Sequence, residues 1–111
     1  MNYQVKLTGL VKRDMRHVAE YIANELKNPN AANRLIDDAE EHILSLSESS
    51  FLYPLVRDDY LAGNGVRHFP VRNYLVFYVV SEASKSVVVL RFLYGRRDWI
   101  NILKNNTAHT E

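Results

Sequence analysis

The side chains best equipped for chemistry in this sequence are arginines and tyrosines of its second half. Arg67, Arg72, Arg91, Arg96 and Arg97 occur with Tyr74, Tyr78 and Tyr94 among them. A guanidinium presents a planar fork of donors to a phosphate or carboxylate, and a tyrosine ring offers a stacking face with a polar tip. That combination suits a nucleic acid or an acidic protein segment. Metal chemistry has no comparable support. His17, His42, His68 and His109 stand apart without ligand spacing, and the absence of Cys removes thiolate sites, disulfides and thiol nucleophiles. The four glycines are scattered, so no phosphate-cradling loop is written here, and no serine sits in a nucleophile-elbow pattern. Neither a metal nor another cofactor is expected.

The charge distribution sharpens this picture. The net charge is only +1, with 14 Lys+Arg against 13 Asp+Glu. Residues 1–59 carry 7 basic and 10 acidic side chains, whereas residues 60–104 carry 7 basic and 2 acidic ones. A basic stretch within a neutral protein points to an anionic partner. With 111 residues and 47% hydrophobic content, the chain fits one domain, 1–111, that buries its own core. It contains no apolar run long enough to cross a bilayer and no signal-peptide pattern at its start, so a cytoplasmic location is expected.

The elements that must position these residues are legible as periodicities. Tyr3, Val5 and Leu7 alternate with Gln4 and Lys6 as a short strand. Thr8 is placed to cap a helix whose stripe is Val11, Met15, Val18, Ala19, Ile22 and Leu26. Asn28 with Pro29 opens a second helix with the stripe Ala32, Leu35, Ile36, Ala39, Ile43 and Leu46. Their short connection predicts an antiparallel helical hairpin. Residues 49–64 show no regular period and read as a long loop anchored by Phe51, Tyr53, Leu55 and Tyr60, closed by the Asn64-Gly65 turn.

After Gly65 the pattern becomes that of strands: 66–71, a central strand at 74–80 that is apolar on both faces, and 87–94. Asp98 is placed to cap a short helix at 99–103, and residues 105–111 read as a frayed tail. The strand connections are too short for parallel crossovers, so the three form an antiparallel meander. The sum is an α+β domain: one β-strand, a helical hairpin, a three-stranded meander and a C-terminal helix. One sheet face is expected to remain partly open, or to be covered by a partner. Strict alternation puts Val87, Val89, Arg91 and Leu93 on one face of the last strand. It brings Arg67, Arg91, Arg96 and Arg97 toward one sheet face, beside Tyr74, Tyr78 and Tyr94. A mid-strand Arg91 must nevertheless reach a cleft, an anion or a carboxylate, an internal salt bridge being the alternative to a partner contact.

Two stretches carry a family resemblance. They are Gly65-Val66-Arg67-His68-Phe69-Pro70-Val71-Arg72-Asn73-Tyr74-Leu75-Val76-Phe77-Tyr78 and Val89-Leu90-Arg91-Phe92-Leu93-Tyr94-Gly95-Arg96-Arg97-Asp98. With the helical hairpin before them, they resemble the RelE/ParE superfamily, the toxins of bacterial type II toxin–antitoxin modules. The resemblance implies a growth-inhibiting toxin neutralised by a cognate antitoxin, as a hetero-oligomer or alongside a homodimer. It also implies one of two targets, because ParE-like members poison DNA gyrase and RelE-like members cleave messenger RNA on the ribosome without a metal.

For RNA cleavage the resemblance nominates Arg67 and Arg97 for the scissile phosphate, with His68 or Tyr94 for proton transfer. The chain departs from that pattern at Leu75, where RelE-like nucleases place an Arg, and at Leu103 and Leu93, where they place a Tyr or a His. ParE-like members resemble it better in the Asn-Tyr…Phe-Tyr strand and the Leu-Arg…Gly-Arg-Arg-Asp ending. Gyrase inhibition is therefore the favoured expectation, RNA cleavage by a metal-independent mRNA interferase the alternative, and a non-toxic protein- or RNA-binding module the second alternative. Only RNA cleavage would make the chain an enzyme. An acidic antitoxin segment, folding as helix and strand along the hairpin and sheet, is expected, and Arg67, Arg72, Tyr78, Arg91, Arg96 and Arg97 are nominated to bind the antitoxin or the target.

Overall fold

The computed structural model describes residues 2–106. In chain order the elements are β1 (Gln4–Leu7), α1 (Gly9–Glu20), a π-helical turn (Tyr21–Glu25) and α2 (Pro29–Leu44). There follow a 3-10 turn (Ser45–Ser47), α3 (Asp59–Gly63), β2 (Arg67–Val71), β3 (Tyr74–Ser81), β4 (Ser86–Tyr94) and α4 (Trp99–Asn106). The expected caps are in place. Thr8 Oγ1 accepts from the Val11 N–H at 3.2 Å, and Asn28 Oδ1 accepts from the Ala31 N–H at 3.1 Å with Pro29 in the first turn of α2.

The sheet order is β1-β4-β3-β2, antiparallel through the meander and parallel only where β1 meets β4. The helical hairpin lies on one face. Val11, Met15, Leu35, Ala39, Ile43 and Leu46 pack there against Phe69, Val71, Val76, Tyr78, Val87, Val89 and Phe92. Each large apolar side chain fully buried in this layer contributes roughly 1.5–3 kcal/mol relative to exposure.

Three expectations need correction. First, residues 49–64 are not all loop. Asp58 caps the single-turn α3 by accepting from the Leu61 N–H, and Leu55 bridges to Arg67 at the edge of β2. A five-residue helix is too short to show a period, so only its capping residue announced it. Second, the other sheet face is not left to a partner. Leu61 and Leu103, from α3 and α4, cover it together with Val56, Val66, Phe77, Leu90 and Leu93. Third, α4 extends through Asn106, so Asn105 and Asn106 are helical, while 107–111 lie outside the described residues.

The alternation of β4 also breaks. Tyr78 pairs with Val89 and Phe77 with Arg91, so Leu90 is an extra residue without a partner in β3. This bulge resets the faces: Val87, Val89 and Phe92 face the hairpin, and Leu90 and Leu93 face α4. Arg91 therefore does not belong to the row expected for it.

Candidate functional site

Arg91 takes the internal carboxylate and not a partner's. Its Nε donates to Asp14 Oδ2 at 2.7 Å and its Nη2 to Asp14 Oδ1 at 2.9 Å, with the two side chains only 12% and 10% exposed. The same Asp14 carboxylate accepts the Phe92 N–H at 3.0 Å. The cause lies in strand lengths. β1 ends at Leu7, opposite Val89, which leaves the remaining edge of β4 without a strand. Thr8 Oγ1 lies 2.9 and 3.1 Å from the Val89 and Leu90 carbonyls and shares its proton between them, and Asp14 takes the next amide. A buried carboxylate needs a counter-charge, and the bulged Arg91 supplies it. Arg91 is thus a fastener of α1 to the sheet.

Tyr78 is likewise withdrawn. It is fully buried, and its hydroxyl donates to the Ser50 carbonyl at 2.9 Å. Burial pushes its phenol up to about 12, against the opposing pull of the nearby Arg67 cation.

The remaining candidates separate into three places. Arg67, at the start of β2, donates to the Tyr53 carbonyl at 2.7 Å and lies 5.0 Å over the Phe51 ring. His68, its neighbour in sequence, belongs to the opposite face. Its ring stacks on Phe77 at 6.0 Å and lies 6.2 Å from Trp99 of α4, with Nδ1 buried and unpartnered. Tyr94 and Arg97 lie at the far end of the sheet, since Arg67 is opposite Tyr78 whereas Tyr94 is opposite Tyr74. Those two registers are roughly 13 Å apart along β3. The expected convergence of Arg67, Arg91, Arg96 and Arg97 does not occur. Arg96 is exposed beyond the end of β4.

At the Tyr94 end a groove of about 910 Å³ opens between the hairpin tip and the sheet. Val18, Ile22, Leu26 and Leu35 line the helical wall, and Arg72, Tyr74, Phe92, Tyr94 and Arg97 line the sheet wall. Tyr74 forms part of its floor, stacked on Phe92 at 5.1 Å and edge-on to Tyr94 at 5.6 Å. Burial raises the Tyr74 phenol, and the neighbouring Tyr94 and Tyr21 phenols raise it further. Arg72 lies in the two-residue β2–β3 turn with φ of 57°, where glycine is usual, and pairs with Asp38 of α2. Tyr21 and Leu26, at 53% and 56% exposure, stand at the lip on and beside the π-helical turn, and Tyr94 at 40% faces them. Sequence reasoning nominated Arg72, Tyr94 and Arg97 but not Tyr21 or Leu26, because both fell within the helical pattern.

Among the described residues no three His, Cys, Asp or Glu gather as metal ligands, and no helix is long and apolar enough to cross a membrane. His109 lies outside the described residues. No curated protein sequence matches the chain.

Two solved structures share the fold. One, described as the chromosomal ParDE toxin–antitoxin system from P. aeruginosa, aligns with a TM-score of 0.68 at 17% identity, covering 83% of this chain and 95% of that one. The other, the toxin–antitoxin complex RelBE2 from Mycobacterium tuberculosis, aligns at 0.58 and 18% identity, covering 85% and 99%. The family model for the ParE toxin of the type II toxin–antitoxin system parDE matches residues 5–99. With that match spanning β1 through the start of α4, the chain belongs to the ParE toxin family of the RelE/ParE superfamily, and it is a type II toxin–antitoxin toxin.

Proposed function

We propose that the chain arrests growth in the cytoplasm by docking on DNA gyrase, without bond chemistry of its own, and that a cognate antitoxin blocks this docking. One observation carries the choice between targets: the four residues nominated for RNA cleavage are dispersed. Metal-free cleavage needs a proton acceptor, a proton donor and a cation around one phosphate. Arg67 is engaged with Tyr53 and Phe51, His68 is packed beneath Trp99, and only Tyr94 and Arg97 share a groove. A docking protein has no such requirement. Its surface must only complement its partner in shape and charge. The shared groove of Tyr94 and Arg97, with the fold likeness to the RelBE2 complex, is what favours the second reading, ribosome-dependent RNA cleavage.

Induction of the chain in bacteria, with transcripts mapped as growth stops, tests the choice. The expected result is arrest with intact messengers, relieved by co-expressed antitoxin. Messengers cut on ribosomes would transfer the assignment to RNA cleavage. Healthy growth at full expression would leave a non-toxic binding module.

A further inference from the structure

Residues 49–56 are fastened to the domain along their length, yet they turn apolar side chains into water. The buried Tyr78 hydroxyl donates to the Ser50 carbonyl at 2.9 Å, and Arg67 Nη1 donates to the Tyr53 carbonyl at 2.7 Å. The His68 N–H donates to the Pro54 carbonyl at 3.2 Å, and the Val56 N–H to the Val66 carbonyl at 2.9 Å. Tyr53 stacks on the core Phe69 at 4.5 Å. Between these ties Phe51, Leu52 and Leu55 stay 47%, 68% and 42% exposed. We infer that this loop is the part of the chain that docks on gyrase: Phe51, Leu52 and Leu55 enter an apolar cleft of the enzyme, and Arg67 and Lys85 meet carboxylates at its rim. The placement rests on the gyrase reading above and adds a surface to it.

The fastening is the first support. Fixing a residue costs roughly 1–2 kcal/mol of backbone entropy. Exposed leucine and phenylalanine return little of that cost to the isolated chain. Anchors already held in place spare a partner the same cost at binding, which is how preorganised contacts gain affinity. Clustered apolar side chains left in water on a long loop mark an interaction surface for the same reason.

Charge decides what kind of surface receives the loop. Arg67 lies 5.0 Å over the Phe51 ring, Lys85 Nζ lies 5.4 Å over the Tyr3 ring, and the two rings meet edge-on at 6.2 Å. Two cations therefore bracket one aromatic pair. Neither belongs to an ion pair among the described residues, and the Arg67 fork keeps donors beyond the one given to Tyr53. A partner with carboxylates around an apolar centre complements this arrangement. A second copy of the chain does not, because a two-fold contact centred here sets the cations against their own images.

Shape separates gyrase from the other occupants. A leucine 68% exposed stands clear of its own chain, so it fits a cleft already present in a folded partner. A segment that folds on binding needs a groove or a sheet edge to lie along. A nucleic acid needs open ring faces for stacking, whereas the Arg67 guanidinium covers a face of Phe51 and the other two anchors are leucines.

The test uses the full chain, purified gyrase with plasmid, and the cognate antitoxin. Leu52→Glu should raise the concentration for half-maximal inhibition of supercoiling at least about 30-fold and Phe51→Ala about 10-fold, the range for anchors central to an interface. Lys85→Gln, at the rim, should raise it about 3-fold. Antitoxin affinity by calorimetry should stay within about 2-fold for all three variants. The three positions are exposed, and urea midpoints check that each variant folds. Inhibition by Leu52→Glu and Phe51→Ala equal to that of the unaltered chain would overturn the placement while the gyrase reading stands. Absence of inhibition by the unaltered chain would overturn both. Loss of antitoxin affinity in these variants, with inhibition retained, would assign the loop to the antitoxin instead. A dimer of the unaltered chain that Leu52→Glu disperses in sedimentation, with inhibition retained, would assign it to a second copy.

Discussion

Asp14→Ala should lower the unfolding free energy by about 3–5 kcal/mol in urea denaturation, because it strands a buried guanidinium and the Phe92 amide together. The loss exceeds that of a surface ion pair for two reasons. The side chains are nearly buried, and a single carboxylate serves three donors: Arg91 Nε, Arg91 Nη2 and Phe92 N–H. Asp14→Asn retains acceptor capacity toward the amide but leaves the Arg91 charge uncompensated, so most of the loss should persist. A double variant, Asp14→Leu with Arg91→Met, removes both charges and should recover a substantial part of the stability. The double-mutant cycle separates the coupling from the packing change. A single-variant loss under about 1 kcal/mol would mean that water screens the pair as it does at a surface. Arg91→Glu, in turn, sets two carboxylates together in the core, so it damages the fold before it reports on any partner.

Raising the pH should expose the second large effect. An unfolded tyrosine ionises near 10, whereas Tyr78 in the folded chain does so only at about 12. Below 10 the phenol is neutral in both states and its burial adds to stability in full. As the pH rises from 10 toward 12 the unfolded chain gives up the proton first, so stability falls across that window. A shift of this size corresponds to roughly 2–3 kcal/mol. Tyr78→Phe should cost about 1 kcal/mol near neutrality through the lost bond to Ser50, yet its stability should decline less between pH 10 and 12. The difference between the two curves isolates Tyr78 from the other phenols and the lysines. Parallel curves would show that Tyr78 ionises in the folded chain as freely as in the unfolded one.

Much of the scaffold is written locally. Thr8, Asn28 and Pro29 fix the starts of the two long helices through bonds within a few residues of each cap, and such bonds are visible in a linear sequence. The Arg72-Asn73 turn and the doubly apolar β3 are equally local. Apart from the single-turn α3, the misplacements arise where a distant partner decides. Alternation assigned Arg91 to a face, but the bulge at Leu90 is set by the β3 register and by the end of β1, neither of which a strand pattern encodes.

One signal was nevertheless present. Asp14 stands within the apolar stripe between Val11, Met15 and Val18, and an acid there announces a buried cation somewhere in the chain. Tyr78 carried a similar signal, since a central strand apolar on both faces buries its aromatics. Periodicity reports a face and not an end of the sheet. Arg67 and Arg97 therefore looked convergent although they lie at opposite ends, with His68 turned to the layer beneath α4.

The reading of this chain as a toxin that docks rather than cuts meets its most direct test in a supercoiling assay. Purified protein is incubated with DNA gyrase, relaxed plasmid and ATP, with antitoxin present or absent. The expected result is loss of supercoiling or accumulation of trapped cleaved plasmid in proportion to the chain added, reversed by antitoxin. His68→Gln should inhibit as strongly as the unaltered chain, since its imidazole packs between Phe77 and Trp99 and is not asked to move a proton. Undiminished supercoiling at a molar excess of the chain, with messengers cut on ribosomes by the same preparation, would contradict the account.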